Sequence, residues 1–336
     1  MIRNLYFSTG IAVAGLVTAY FYDAWAGVAL TAILSVLEVS LSFENAIVNA
    51  AVLNTMEHKW QERFLTWGII IAVFGMRLLF PVLLVSCMTH LNPIEVVDLA
   101  LEQPAQYAEY LGKAHGTISA FGGMFLLMVF LEFILDHKRE VHWLGVIERK
   151  IAQLGNVEAI EVVVALIILL ILQIKLPEDQ RATILVAGIL GLCSYAIIHG
   201  VAKWMNNLMR VQAGDMLKHS GIMSFIYLEV LDASFSFDGV IGAFAITKDI
   251  VIIMLGLGIG AFFVRSLTIL LVKKQTLQKY IYLEHGAYYA LGMLSLLMLI
   301  GIYFHIPEIL IGSIGVITIA LAFTTSLRYL KRNGKS

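Results

Sequence analysis

The chain has 336 residues, 60% of them hydrophobic and only 14% charged, with a formal net charge of −1. Soluble domains carry about 25% charged residues, so this composition reads as a polytopic membrane protein and gives no support to nucleic-acid binding. Cys87 and Cys193 lack CxxC spacing, which argues against a disulfide framework or a thiolate metal site.

A helix needs about 20 apolar residues to cross a bilayer. Ten segments approach this, at roughly 8–22, 28–53, 66–87, 115–135, 158–175, 182–204, 222–246, 252–272, 286–304 and 308–328. The first follows a basic residue but has no small-residue cleavage site, so it reads as a retained span. "YFYDAW" separates it from the second. Residues 92–112 form an acidic, Lys-poor loop, and "NNLMRVQAGDMLKHSG" (206–221) reads as an amphipathic linker.

Lys and Arg placement orients these spans. Seventeen of the 23 fall in one set of ends and loops, whereas Lys113, Lys175, Arg181 and Lys248 fall in the other; Arg77 and Arg265 lie mid-span. The positive-inside rule then puts both termini in the cytoplasm and loop 92–112 outside.

The sequence also repeats. "LEVSLSFENAIVNAA" (37–51) aligns without gaps on "LDASFSFDGVIGAFA" (231–245), pairing Glu38 with Asp232, Ser42 with Ser236, Glu44 with Asp238 and Asn45 with Gly239. Arg77 and Arg265, and the "HG" pairs at His115 and His285, recur in the same order. Each unit holds five spans, so the second must enter the membrane inverted, the architecture of many secondary transporters. The expected fold is an all-α polytopic membrane protein of about ten transmembrane helices. It divides into a first repeat at 1–176 with its acidic motif at 37–51, and an inverted second repeat at 177–336 with its motif at 228–247.

Charges near the bilayer centre are costly and usually face a cavity or one another. Glu38, Glu44, Asp232 and Asp238, joined by Glu229, exceed the two mid-span arginines and call for a cation. Glu38, Ser42 and Asn45 share one helix face at i, i+4, i+7, whereas Glu44 points about 120° away on a straight helix. An interruption of both motif helices at S-x-S-F would resolve this, because Ser hydroxyls bond back to the helix and bend it. Carboxylates, an amide and hydroxyls are hard oxygen ligands, suiting Mn²⁺, Ca²⁺ or Mg²⁺. Metal arrival would release protons from paired carboxylates, which suggests antiport. The bland reading is that the acids merely pair with Arg77 and Arg265. His115 and His285 are read either as gate residues or as interfacial caps, and His199 and Glu161 as packing or interfacial residues.

Both motifs, "LEVSLSFENAIVNA" and "LEVLDASFSFDGVIGAFAIT" (228–247), resemble those of the TerC-like integral membrane proteins, notably the bacterial branch catalogued as a domain of unknown function. That resemblance implies manganese export or tellurite resistance in a bacterial inner membrane. It implies metal positions at Glu38, Glu44, Asn45, Asp232 and Asp238. Here the first motif has Glu44 where the family commonly has Asp, which changes reach by a methylene.

The expected function is therefore export of a divalent cation, with Mn²⁺ favoured, in exchange for protons. Ser42, Ser236 and Glu229 would support the metal positions; Arg77, Arg265, His115 and His285 would pair charges or gate. The expected partners are the bilayer, the cation and protons, with self-association open. Two rivals remain: proton-coupled export of a small organic solute, and a non-transporting partner for metal delivery or stress resistance. Neither GxSxG nor HExxH occurs, and no enzymatic activity is expected.

Overall fold

The computed structural model describes residues 2–157, 159–212, 221–274, 276–304 and 306–332, and among these every regular element is helical. In chain order they are α1 (Ile2–Leu41), α2 (Phe43–Thr55), α3 (His58–Ile70), a π-helix (Ile71–Leu79), α4 (Phe80–Thr89), α5 (Pro93–Glu102), α6 (Pro104–Leu135), α7 (Val146–Ala152), a 3₁₀ turn (Gln153–Asn156), α8 (Ile160–Gln173), α9 (Glu178–Gln212), α10 (Gly221–Ile246), α11 (Ile250–Lys273), α12 (Thr276–Lys279), α13 (Leu283–Gly301) and α14 (Glu308–Arg332). By length and composition, six helices among the described residues suit a membrane crossing. The number rises to eight if two bent pairs each count as one span. Among the described residues the protein is thus all-helical, and its apolar helices mark it as membrane-embedded.

The first long helix is not straight. Asp23 (φ −142°, ψ 37°) and Ala24 (φ 46°, ψ −140°) leave helical geometry, and Ala24 takes a positive φ that residues with a Cβ rarely adopt. Contacts with α11 show what the break does. Ser8 donates to the Phe262 carbonyl at 3.0 Å, and Ser35 donates to the Gly256 carbonyl, also at 3.0 Å. On a straight helix those serines would stand about 40 Å apart, whereas their partners are only about 9 Å apart on α11. The chain therefore reverses at Asp23–Ala24, and two antiparallel arms flank α11. This is the interruption expected at "YFYDAW".

Other boundaries depart from expectation for local reasons. The acidic stretch 92–112 is largely helical. Asn92 accepts from Ile94, and Glu95 reaches back to the Asn92 amide, a capping box that starts α5. Pro104 then opens α6 well before its apolar run begins. The fifth expected span is the short α8, which meets the α7–3₁₀ segment at 101°. Helix α9 runs on to Gln212, and residues 213–220 of the expected linker lie outside those described.

Helix α6 holds the centre, packing against α9, α10 and α13. Of its most apolar 18-residue window, 83% is buried inside the protein, against 28% for the first span and 33% for α9. Those peripheral helices present large apolar side chains outward, such as Phe21, Leu190 and Ile197, as lipid contact requires.

Candidate functional site

The two acidic motifs meet inside the bundle, but their helices differ. The first breaks at Ser42 (φ −103°, ψ 14°) between α1 and α2, where the hydroxyl donates to Glu38 Oε1 at 2.8 Å. The second runs unbroken through α10, and Ser234 donates back to the Val230 carbonyl at 3.0 Å. The interruption expected of both copies occurs in one.

Their contacts mirror each other. Asn45 donates to Asp232 Oδ1. Its aligned counterpart Gly239 lies against Glu38, the counterpart of Asp232: a Cβ at Gly239 would come within 2.8 Å of Glu38 Oε2. The Glu38 carboxylate occupies space that a side chain at Gly239 would need. A second amide, Asn49, donates to Asp232 Oδ1 at 3.2 Å.

Both mid-span arginines join this crossing. Arg77 is carried by the π-helix, a geometry that rotates side chains out of the α register and is frequent at functional sites. Its guanidinium donates to Glu38 Oε1 and, at 2.6 Å, to the Ala72 carbonyl. Arg265 is buried in α11 with its guanidinium 3.9 Å over the Phe64 ring. It and Glu229 converge on Gly68, where a Cβ would lie 2.9 Å from Arg265 Nη2 and 2.7 Å from Glu229 Oε1. A side chain there would push both charged heads aside.

A cavity of about 20 Å³ lies at this crossing, lined by Ser42, Asn45, Asn49, Ala72, Arg77, Asp232, Ala261, Val264, Arg265 and Thr268. That is room for about one water or a bare ion. Around it, several buried polar atoms have no hydrogen-bond partner among the described residues: Asn45 Oδ1, Asn49 Oδ1, Arg77 Nε, both Glu229 oxygens, and Arg265 Nη1 and Nη2. Native interiors leave few such atoms unpaired, so this concentration marks the cavity as a place where polar groups meet something further.

The sequence candidates divide accordingly. Ser42, Asn45, Arg77, Asp232 and Arg265 line the cavity, and Glu38 and Glu229 stand beside its arginines. Glu44 is buried on the opposite side of α2, its carboxylate flat against Gly315 of α14, where a Cβ would meet Oε2 at 2.7 Å. Ser236 is buried in α10 but does not line the cavity. The Asp238 backbone belongs to α10, and its side chain lies outside the described residues. Among the described residues no group of three His, Cys, Asp or Glu side chains is close enough to hold a metal ion. In this arrangement arginine, rather than a carboxylate cage, faces the acids.

Neither paired histidine reaches the cavity. His285 Nε2 lies 2.9 Å from the Val141 carbonyl and 3.5 Å from the buried Glu148, tying α13 to the loop after α6. His115 meets Ser119 one turn along α6.

Two features escaped the sequence reading. Asn49 follows Asn45 by one turn, and that spacing alone puts it on the same face. Glu132, an acid inside the apolar run of α6, accepts from Tyr195 and pairs with His199 at 3.1 Å. With Glu161, Asp136 and Arg139 it lines a separate polar cavity of about 510 Å³.

No curated protein and no solved structure matches this chain. The family described as "Protein of unknown function (DUF475)" matches residues 43–333, which take in the second motif, the first from Phe43 onward and both arginines but not Glu38 or Ser42, and the chain belongs to that family.

Proposed function

We propose that this protein is a secondary transporter that exports a divalent cation, with Mn²⁺ preferred over Ca²⁺ and Mg²⁺, in exchange for protons. In this reading it is a ten-span protein of a bacterial inner membrane, with both termini cytoplasmic. The spans would be the two arms of α1 (the second continuing into α2), the bent run from α3 to α4, α6, α8, α9, α10, α11, α13 and α14. Two observations support an inverted repeat: the contacts Asn45–Asp232 and Gly239–Glu38 join residues the alignment pairs, and each half supplies one arginine to the crossing. The halves differ at their starts, because the opening arm lies along α11 whereas α9 lies along α6.

The observation that carries the reading is the single cavity where both motifs and both arginines converge. Asp232, two amides and the hydroxyls of Ser42 and Thr268 offer hard oxygen donors, the set that suits Mn²⁺, Ca²⁺ and Mg²⁺ rather than softer metals. Arg77 and Arg265 act as built-in substitutes for the cargo. They neutralise Glu38 and the Asp232–Glu229 pair when no cation is bound, and must withdraw for it to be coordinated. Such exchange between internal and external counter-ions couples binding to rearrangement.

One observation favours a rival cargo. The unpartnered N–H groups of Arg265 and Arg77 beside carboxylates would suit a small zwitterionic organic solute. A volume of about 20 Å³ favours the ion.

The test is Mn²⁺ flux in proteoliposomes with an imposed pH gradient, with Asp232→Asn beside the wild type. The reading expects uptake that follows the proton gradient and collapses in the variant. Binding without flux in the wild type would make this a metal-delivery partner instead.

A further inference from the structure

Asn45 and Asn49 stand one helical turn apart on α2, so both carboxamides project from one face into the cavity. Each Nδ2 donates to Asp232 Oδ1. Both amides thus turn nitrogen toward Asp232 Oδ1 and oxygen away from it. Both Oδ1 atoms are buried and have no partner among the described residues, and the residues themselves are 4% and 2% exposed. Two buried acceptors left unpaired beside a cavity are unfavourable, and a cation seated there would satisfy both.

The aligned positions in the second half are Gly239 and Ala243, which offer no side-chain oxygen. The amide edge therefore belongs to the first half alone, while Asp232 and Arg265 come from the second. We propose that Asn49 is a direct cargo ligand. With Asn45 it supplies a neutral pair of oxygen donors that selects a hard divalent cation such as Mn²⁺ over a softer one such as Zn²⁺. In oxygen-based sites the charge count of the ligands tunes affinity, and two uncharged donors keep the cargo releasable. This inference rests on the cation reading above and adds the residue and the selectivity that reading lacked.

The same geometry could serve only to orient Asp232, and the Asn49 variants separate the two roles. Asn49→Leu removes both the donor and the oxygen. Asn49→Asp keeps an oxygen but loses the N–H that holds Asp232. The full-length chain, purified in detergent, is titrated with Mn²⁺ and separately with Zn²⁺, with binding read by calorimetry and by the shift in Tm. We expect Asn49→Leu to weaken Mn²⁺ binding by at least the roughly 10- to 100-fold typical of losing an outer-shell partner, because a direct ligand is lost. Zn²⁺ should be weakened less, so the preference for Mn²⁺ narrows. Asn49→Asp should retain or tighten Mn²⁺ binding. Where the leucine variant fails to fold, Asn49→Ala is read in its place.

If Asn49→Asp loses as much Mn²⁺ affinity as Asn49→Leu, Asn49 is a positioning residue and the proposal is overturned. Wild-type affinity in Asn49→Leu, with binding abolished in Asp232→Asn, overturns it while leaving the cation site intact. No Mn²⁺ binding by the wild-type chain overturns both this inference and the function on which it rests.

Discussion

The guanidinium of Arg77 donates directly to Glu38 Oε1 inside the bundle, the two side chains being 8% and 1% exposed. Removing one partner of such a pair strands a buried charge, whereas removing both can be nearly neutral. Glu38→Gln or Arg77→Gln alone should each destabilise by about 3–5 kcal/mol. The double variant should recover most of that loss. Unfolding of the purified chain in detergent measures the cycle, and strictly additive losses would show that the pair is not coupled.

The reversal at Asp23–Ala24 has a covalent consequence. Ser8 and Ser266 place their hydroxyl oxygens 2.7 Å apart. A Ser8→Cys/Ser266→Cys variant should therefore cross-link under mild oxidation. Cleavage between the cysteines would leave the fragments joined on a non-reducing gel. Failure to cross-link would argue against this packing of the first arm on α11.

The mirrored contacts are unequal in tolerance. Asn45→Gly deletes one hydrogen bond to Asp232 and should cost about 0.5–3 kcal/mol, with the glycine penalty in a helix included. Gly239→Asn drives a Cβ to 2.8 Å from Glu38 Oε2 and must displace that carboxylate from Arg77. The second change should be the more destabilising. Expression level and Tm of the two variants, compared side by side, decide it.

Gly68 is the wall against which Glu229 and Arg265 rest. Gly68→Ala should push both heads away, at about 1–3 kcal/mol of overpacking strain. The expected result is a folded protein with slowed Mn²⁺ flux. Wild-type flux would mean that neither head must hold its place during the cycle.

His285 is a brace between α13 and the loop after α6, lying against Val141 and Glu148. His285→Leu should lower stability by about 1–3 kcal/mol, because it strands a buried acceptor, and leave Mn²⁺ affinity unchanged. A loss of affinity with stability intact would return His285 to a gating role. At the Glu132–His199 pair, where the side chains are 45% and 50% exposed, the contribution to stability should stay within about 1 kcal/mol.

The sequence by itself determined the membrane class, the helical character and the residues worth watching. Apolar runs of span length and acids inside them are local features, and burial in lipid makes both costly to place otherwise. It also located the break at "YFYDAW". Tertiary structure decided which candidates meet. Helix period puts Glu44 off the Glu38 face, but only the packing of α14 shows that it lies against Gly315 rather than in the cavity. Arg77 could have paired with any acid; the widened turn of the π-helix and the close approach of α1 assign it to Glu38. Asn49 and Glu132 drew no notice because an amide or acid becomes informative only when its partners, Asp232 and His199, arrive from distant helices. Period and composition are read along one helix, whereas a buried polar site is defined by several, and its energetics depend on what each brings to the same cavity.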